Sequence, residues 1–218
     1  MPKHNRQPRR PTPNPTLRNR TLNQRNVHDQ DLWLHARSFH TAAKKLAEAL
    51  ESDSGPFIEF AACPVVFMYR HALELHLKAI VLGEGGNFLV TKPDRLSIQK
   101  THSVSWLAQF VVQIVTVLQW EKEFKCEGIE NLDGFKAAVQ EVNSVDPGSY
   151  SVHLPVTTEA QDSAQGQAKS TIRNFAHRMD ALLELLNATA DALAAEWDMR
   201  SEVYEAEWQG GDIKPTIQ

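Results

Sequence analysis

Apolar residues recur every three or four positions along most of this chain, which is the period of an amphipathic helix. The first stripe runs from Trp33 to Leu50, and Asp29 or Asp31 is its candidate N-cap. The Ser-Asp-Ser-Gly-Pro sequence at residues 52–56 then interrupts the pattern. A second stretch, from about Pro64 to Leu82, is apolar around most of its circumference. Such a helix is typically central in its bundle, and the glycine that follows is a natural stop.

The later part of the chain also has mainly helical spacing. A third helix is predicted from His102 or Ser103 to about Trp120, after a loop at residues 83–101. A short fourth helix is predicted around residues 132–142, and a long final one from about 168 to 207. Residues 150–156 alternate like a short extended piece, and residues 158–167 look like a polar linker. The pattern therefore predicts an all-α fold.

Length and composition predict one domain with tails. The chain has 218 residues, of which 42% are hydrophobic, and we expect a single domain over residues 29–208 with a flexible tail at 209–218. Residues 1–28 contain seven basic side chains and no acidic one, so the remaining chain has a net charge of −11. This proline-rich basic arm is expected to be disordered. Its candidate contacts to nucleic-acid phosphates are Arg6, Arg9, Arg10, Arg18, Arg20 and Arg25. A solubilising tail, or one that folds back on an acidic surface, is the alternative.

Several classes of chemistry have no motif in the sequence. No Cys-x-x-Cys, His-Glu-x-x-His, Gly-x-Ser-x-Gly or phosphate-loop sequence occurs, so we expect no metal and no cofactor. Cys63 and Cys126 are too few for a disulfide framework. No apolar run is long enough to span a membrane, and the first residues lack the apolar core of a secretory signal. A cytoplasmic protein without membrane contact is the expectation.

Two segments carry a resemblance to a known family. Residues 73–80 read Leu-Glu-Leu-His-Leu-Lys-Ala-Ile, with Glu74 and Lys78 one helical turn apart. After a glycine-containing loop, residues 100–104 read Lys-Thr-His-Ser-Val, with His102 at the start of the next helix. This pattern resembles the HEPN superfamily. The resemblance implies an up-and-down bundle of four to five helices, commonly dimeric. It also implies a metal-independent endoribonuclease of a toxin–antitoxin, anti-phage or RNA-processing system, or a non-catalytic relative.

Active HEPN proteins carry an Arg and a His with four to six residues between them, and two places here approach that pattern. Arg70 and His76 have the right separation, although six positions on a straight helix put them roughly 120° apart. Arg173 and His177 are one residue too close but share a helix face. The candidate catalytic pair is Arg70 with His76, or Arg173 with His177. The candidate supporting residues are His71, Glu74, Lys78 and His102.

Each candidate also has a purely structural interpretation. Arg70, Glu74 and Lys78 have the spacing of an ordinary ion-pair stripe, which contributes little. Arg173 and His177 have the pattern of a solvent-facing helix surface. Two hypotheses therefore stay open. The chain is either a HEPN-like ribonuclease or a non-catalytic HEPN-like bundle that binds a partner or a nucleotide. In both cases we expect a homodimer, with RNA or a protein such as an antitoxin as the further partner.

Overall fold

The computed structural model describes the backbone of residues 15–52, 58–144 and 161–210, and the side chains of residues 31–51, 63–144 and 170–203. The helices are α1 (Pro15–Ser52), α2 (Ile58–Leu82), α3 (Arg95–Lys100), α4 (Val104–Val117), α5 (Leu132–Ser144) and α6 (Gln161–Gly210), with a 3-10 turn at Glu84–Phe88. Within these described ranges there is no strand, only an isolated bridge between Cys126 and Ile129. The all-α prediction is confirmed.

Helix α2 is the centre of the fold. It packs against α1, α4 and α6, and every residue from Ala72 to Val81 is buried. Its neighbours bury their own apolar stripes against it, because a helix that is apolar all round must be covered on several sides. Pro64 is the seventh residue of α2, inside the helix, where its missing N–H removes one i→i−4 hydrogen bond. The helix nevertheless runs through it to the expected end at Gly83.

Two predicted helix starts were wrong. Helix α1 begins at Pro15 rather than at Asp29 or Asp31, because no proline or glycine follows Pro15 until Gly55 and proline suits a first helical turn. Residues 15–28 of the basic arm are therefore continuous with α1. Helix α6 begins at Gln161, inside the predicted polar linker. The predicted extended piece at 150–156, residues 1–14 of the arm, and most of the C-terminal tail lie outside the described residues.

The loop predicted at residues 83–101 contains the 3-10 turn and the short helix α3. Asp94 caps α3, because its carboxylate accepts hydrogen bonds from the backbone N–H and the hydroxyl of Ser97, both at 2.9 Å. Ser103 caps α4 in the same way through the N–H of Trp106, at 3.3 Å. The start of α4 matches the prediction. These two caps fix the short connection, residues 101–103, that carries His102 over the surface of α2.

Candidate functional site

Three charged residues of α2 are buried together. Arg70, Glu74 and Lys78 are only 8%, 2% and 5% exposed, although their i, i+4 spacing is that of a surface ion-pair stripe. Nζ of Lys78 donates to Oε1 of Glu74 at 2.8 Å, and Nη1 of Arg70 lies 3.6 Å from Oε2 of the same carboxylate. The three residues do pair as an i, i+4 stripe, but the stripe is buried and therefore not an ordinary surface ion-pair stripe. Charges can be buried in this way only when each is paired and hydrogen-bonded.

The two cations also hold the chain segment that covers them. Lys78 donates through Nζ to the backbone carbonyl of Gln99 at 2.9 Å. Arg70 donates through Nη2 to the backbone carbonyl of His102 at 2.8 Å. The carbonyls at the end of a helix have no partner within it, so α2 supplies partners to the end of α3 and to the connection that follows. The position of His102 on α2 is thus set by two buried cations.

Glu74 and His102 form a carboxylate–histidine pair. Nδ1 of His102 lies 3.1 Å from Oε1 and 3.3 Å from Oε2 of Glu74, while the His102 side chain is 76% exposed. Because an ionised carboxylate only accepts hydrogen bonds, Nδ1 carries the proton. In the neutral ring, Nε2 then holds the lone pair. The pair therefore orients an exposed imidazole, whose second nitrogen can take up a proton or bind a ligand.

His71 lies next to this pair on the same face of α2. Its ring packs edge-on against Phe39 at 4.4 Å between centroids, and it stacks parallel to Phe67 at 6.0 Å. Burial lowers the pKa of His71, and the nearby carboxylate of Glu74 opposes that shift. Near neutral pH the ring is therefore uncharged.

His76 does not share this site with Arg70. It is 1% exposed, and neither ring nitrogen has a hydrogen-bond partner. Burial lowers its pKa to about 4, and the charges of His40 and Arg37 on α1 act in the same direction. The two side chains point in different directions, as expected from six positions on a helix. The structure therefore does not bring the predicted pair together, and a buried neutral His76 is not placed to exchange protons with a substrate.

The second predicted pair lies on the solvent face of α6. Nε of Arg173 donates to the Glu51 carboxylate at 2.8 Å, and its side chain is 60% exposed. Nε2 of His177 lies 3.8 Å from a carboxylate oxygen of Glu127, and its side chain is 64% exposed. Each residue thus pairs separately with an acid on another part of the chain.

A second polar cluster escaped the sequence analysis. The hydroxyl of Tyr69 donates to Oδ1 of Asp180 at 2.9 Å, and Nε2 of His40 lies 2.8 Å from the same oxygen. Burial and the Asp180 carboxylate raise the pKa of Tyr69 well above its usual range. The partners are separated by 111 and 140 positions, so no local spacing reveals them. The sequence feature that pointed to this cluster was Tyr69 itself, since it lies in a mostly apolar helix and a buried phenol hydroxyl needs a hydrogen-bond partner.

The remaining predictions concern nucleic-acid contacts, metal ligands and membrane contact. The arginines proposed to bind nucleic acid lie before residue 31, outside the range of described side chains. Among the side chains that the structure describes, no three His, Cys, Asp or Glu residues are grouped as metal ligands would be. None of the described helices is both long and apolar enough to cross a membrane. No family model, curated protein or solved structure matches the chain.

Proposed function

We propose that this chain is a HEPN-like, metal-independent endoribonuclease whose acid–base group is His102 rather than His76. The observation that carries the proposal is the exposed ring of His102, held through Nδ1 by the buried carboxylate of Glu74. A histidine oriented by a carboxylate, with its other nitrogen open to solvent, is a common arrangement for proton transfer. Glu74, Lys78 and His102 are also the residues on which the family resemblance rests.

The proposed reaction needs one proton acceptor and a positive field. Nε2 of His102 removes the proton from a ribose 2′-hydroxyl as that oxygen forms a bond to the adjacent phosphorus. The bond from phosphorus to the 5′-oxygen breaks, and the leaving oxygen takes a proton from water. The products are a 2′,3′-cyclic phosphate and a 5′-hydroxyl end. His102 afterwards returns its proton to solvent.

Arg70 and Lys78 are positioning residues in this proposal. They are buried and hydrogen-bonded to backbone carbonyls at Gln99 and His102, so they hold the imidazole in place. Together with Glu74 they leave one net positive charge behind the proposed phosphate position. A fixed positive field of this kind stabilises charge that develops on a phosphate in the transition state.

Cleavage of single-stranded RNA by the purified full chain in the presence of a chelator tests the proposal. His102→Ala should reduce the rate about 100- to 10,000-fold, which is the usual contribution of a positioned acid–base group. His177→Ala is the matched control, because that histidine is similarly exposed but lies on α6, paired with Glu127. The proposal fails if the wild-type protein leaves RNA intact, or if both variants cleave at the wild-type rate.

A non-catalytic binding module is the second candidate. The burial of Arg70 and Lys78, with their hydrogen bonds directed into the chain, favours it, because neither group is free to hold a phosphate directly. In that case the network only stabilises the connection between α3 and α4. Binding of RNA or of a nucleotide with no cleavage by the wild type would support this candidate.

A role as a toxin or an anti-phage defence component follows from the resemblance and belongs to the same proposal. Such a protein would act in the cytoplasm, as a homodimer, with RNA as its target and an antitoxin-like protein as its inhibitor. Expression of the wild-type chain in bacteria should then arrest growth. Expression of the His102→Ala variant to the same level should not.

A further inference from the structure

We propose that Phe67 is a base-stacking platform, so that the site takes unpaired RNA rather than duplex. The inference names the substrate class of the proposed site. It rests on the proposed ribonuclease activity for the cleavage step and not for the binding of RNA. Phe67 is 55% exposed, although it sits on the helix that is otherwise the centre of the core. A large aromatic side chain in such a position is a natural contact for a nucleobase, since every base offers a flat face for stacking.

The rings behind Phe67 form a fixed support. Phe67 and His71 are parallel within 6°, and their centroids are 6.0 Å apart. His71 in turn meets Phe39 of α1 edge-on, at an angle of 84°. The platform is thus built from two helices, which keeps the orientation of Phe67 defined. A preorganised ring loses little conformational freedom when a base stacks on it.

The platform and the reactive imidazole lie on one face of α2. Phe67, His71 and Glu74 are spaced i, i+4 and i+7, so the axial distance from Phe67 to Glu74 is about 10 Å. Glu74 holds His102, and His71 lies three positions before Glu74 on the same face of α2. A base stacked on Phe67 therefore leaves the neighbouring sugar and phosphate near Nε2 of His102.

Charge also favours a nucleic acid here. Residues 63–103 contain five basic side chains, Arg70, Lys78, Lys92, Arg95 and Lys100, and three acidic ones, Glu74, Glu84 and Asp94. This segment has a formal net charge of +2, whereas the chain from residue 29 onward has −11. Lys92, Arg95 and Lys100 are exposed. Exposed cations together with an exposed aromatic ring are the usual composition of a single-strand site.

Single-stranded RNA is the class of nucleic acid that fits this site. In a duplex the bases are already paired and stacked, so their faces cannot reach a ring on a protein surface without disruption of the helix. An unpaired nucleotide can turn its base onto Phe67 at little cost. The site should therefore bind single-stranded RNA more tightly than duplex, and it should bind different base sequences with similar affinity.

Binding of a fluorescent 2′-O-methyl RNA strand tests the inference apart from the chemistry, because this probe has no free 2′-hydroxyl and cannot be cleaved. Phe67→Ala should weaken binding of the single strand about 5- to 150-fold, the range expected for loss of one stacked base. Phe67→Trp should bind at least as well as the wild type. The duplex of the same sequence should bind much more weakly to the wild-type chain.

Val117→Ala is the matched control. Val117 is 49% exposed, and it lies at the far end of α4, about 20 Å along that helix from the connection that carries His102. This variant should bind as the wild type does. Equal binding by Phe67→Ala and the wild type, or equal affinity for single strand and duplex, overturns the inference. If Phe67→Ala weakens binding but the wild type never cleaves unmodified RNA, the stacking platform stands and the ribonuclease proposal fails.

Discussion

The hydroxyl of Tyr69, in the middle of α2, donates a 2.9 Å hydrogen bond to the carboxylate of Asp180 on α6. Tyr69 is fully buried, so its hydroxyl needs a hydrogen-bond partner within the protein, and Asp180 is that partner. The same carboxylate oxygen also lies 2.8 Å from Nε2 of His40 on α1. One acidic side chain therefore connects three helices of the bundle, α1, α2 and α6.

Removal of this hydrogen bond should destabilise the fold. We expect Tyr69→Phe to lower the free energy of unfolding by about 1.5–3 kcal/mol, the usual contribution of a hydrogen bond to a charged group. Urea unfolding measured at pH 7.5 gives this value. The control is Arg178→Met, which removes an exposed ion pair with Glu141 and should cost less than about 1 kcal/mol. Equal losses in the two variants would contradict the structural role assigned to the Tyr69–Asp180 bond.

The buried charges of α2 should depend on one another. Glu74→Leu leaves Arg70 and Lys78 buried without a counter-charge, and we expect it to cost about 3–5 kcal/mol in unfolding free energy. Replacement of all three, by Arg70→Met, Glu74→Leu and Lys78→Met, should recover more than half of that loss. Methionine fills the space of the long side chains without a charge. A triple variant as unstable as Glu74→Leu would show that Arg70 and Lys78 stabilise the fold by some route other than their pairing with Glu74.

His76 should make the protein sensitive to acid. Its pKa is about 4 in the folded chain and about 6.5 when unfolded, so the unfolded state binds the proton first as the pH falls. Above about pH 6.5, His76 is neutral in both the folded and the unfolded state and does not lower the free energy of unfolding. As the pH falls from 6.5 to about 4, His76 becomes protonated in the unfolded state first, and the free energy of unfolding decreases progressively. The full loss is on the order of 3 kcal/mol.

His76→Leu should remove this share of the acid sensitivity, because leucine fills a similar volume and leaves no unpaired buried nitrogen. Urea unfolding at pH 7.5 and at pH 4.5 should show a smaller difference in the variant than in the wild type. His177→Leu, at an exposed position, should leave the difference unchanged. If His76→Leu instead behaves like the wild type at both pH values, the buried imidazole is not the group that titrates.

The expected homodimer can be tested on α6. Met199 and Val203 are 56% and 54% exposed and lie one turn apart, so they form an apolar strip on the outer surface of that helix. Met199→Asp combined with Val203→Asp should convert the dimer to a monomer in sedimentation at tens of micromolar. Val117→Asp, at an exposed apolar position on α4, should not. Trp197 is not part of this strip, because its ring packs edge-on against Phe88 within the chain. A monomeric wild type would refute the dimer.

The basic arm should contribute salt-dependent affinity. Deletion of residues 1–14 removes Lys3, Arg6, Arg9 and Arg10 but leaves α1 intact. If all four contact phosphates of a single strand, the slope of log affinity against log salt concentration should fall by about 3. Fluorescence anisotropy with the 2′-O-methyl RNA at several salt concentrations measures it. Replacement of the four by glutamine should have the same effect, and an unchanged slope would favour the arm as a solubilising tail.

The sequence by itself determined the helices and the centre of the bundle. The apolar period of α4, α5 and α6 predicted each of them, because helical spacing is a local property that needs no knowledge of the rest of the chain. The all-round apolar character of α2 predicted its central place for the same reason. The starts of α1 and α6 were wrong, because the polar residues before each apolar stripe were assigned to a tail and a linker although they continue the helix. The short helix α3 is too brief for its period to stand out.

The tertiary structure alone decided what the polar residues do. An i, i+4 stripe of Arg70, Glu74 and Lys78 looks the same in sequence whether water or protein covers it, and here residues 99–102 cover it. The same contact brings His102, 28 positions from Glu74, to that carboxylate as an exposed imidazole. His76 is buried on another side of α2, near His40 and Arg37 of α1. Spacing along one helix gives only the angle between two side chains. Which side is buried depends on the segments that pack there, and those come from distant parts of the chain.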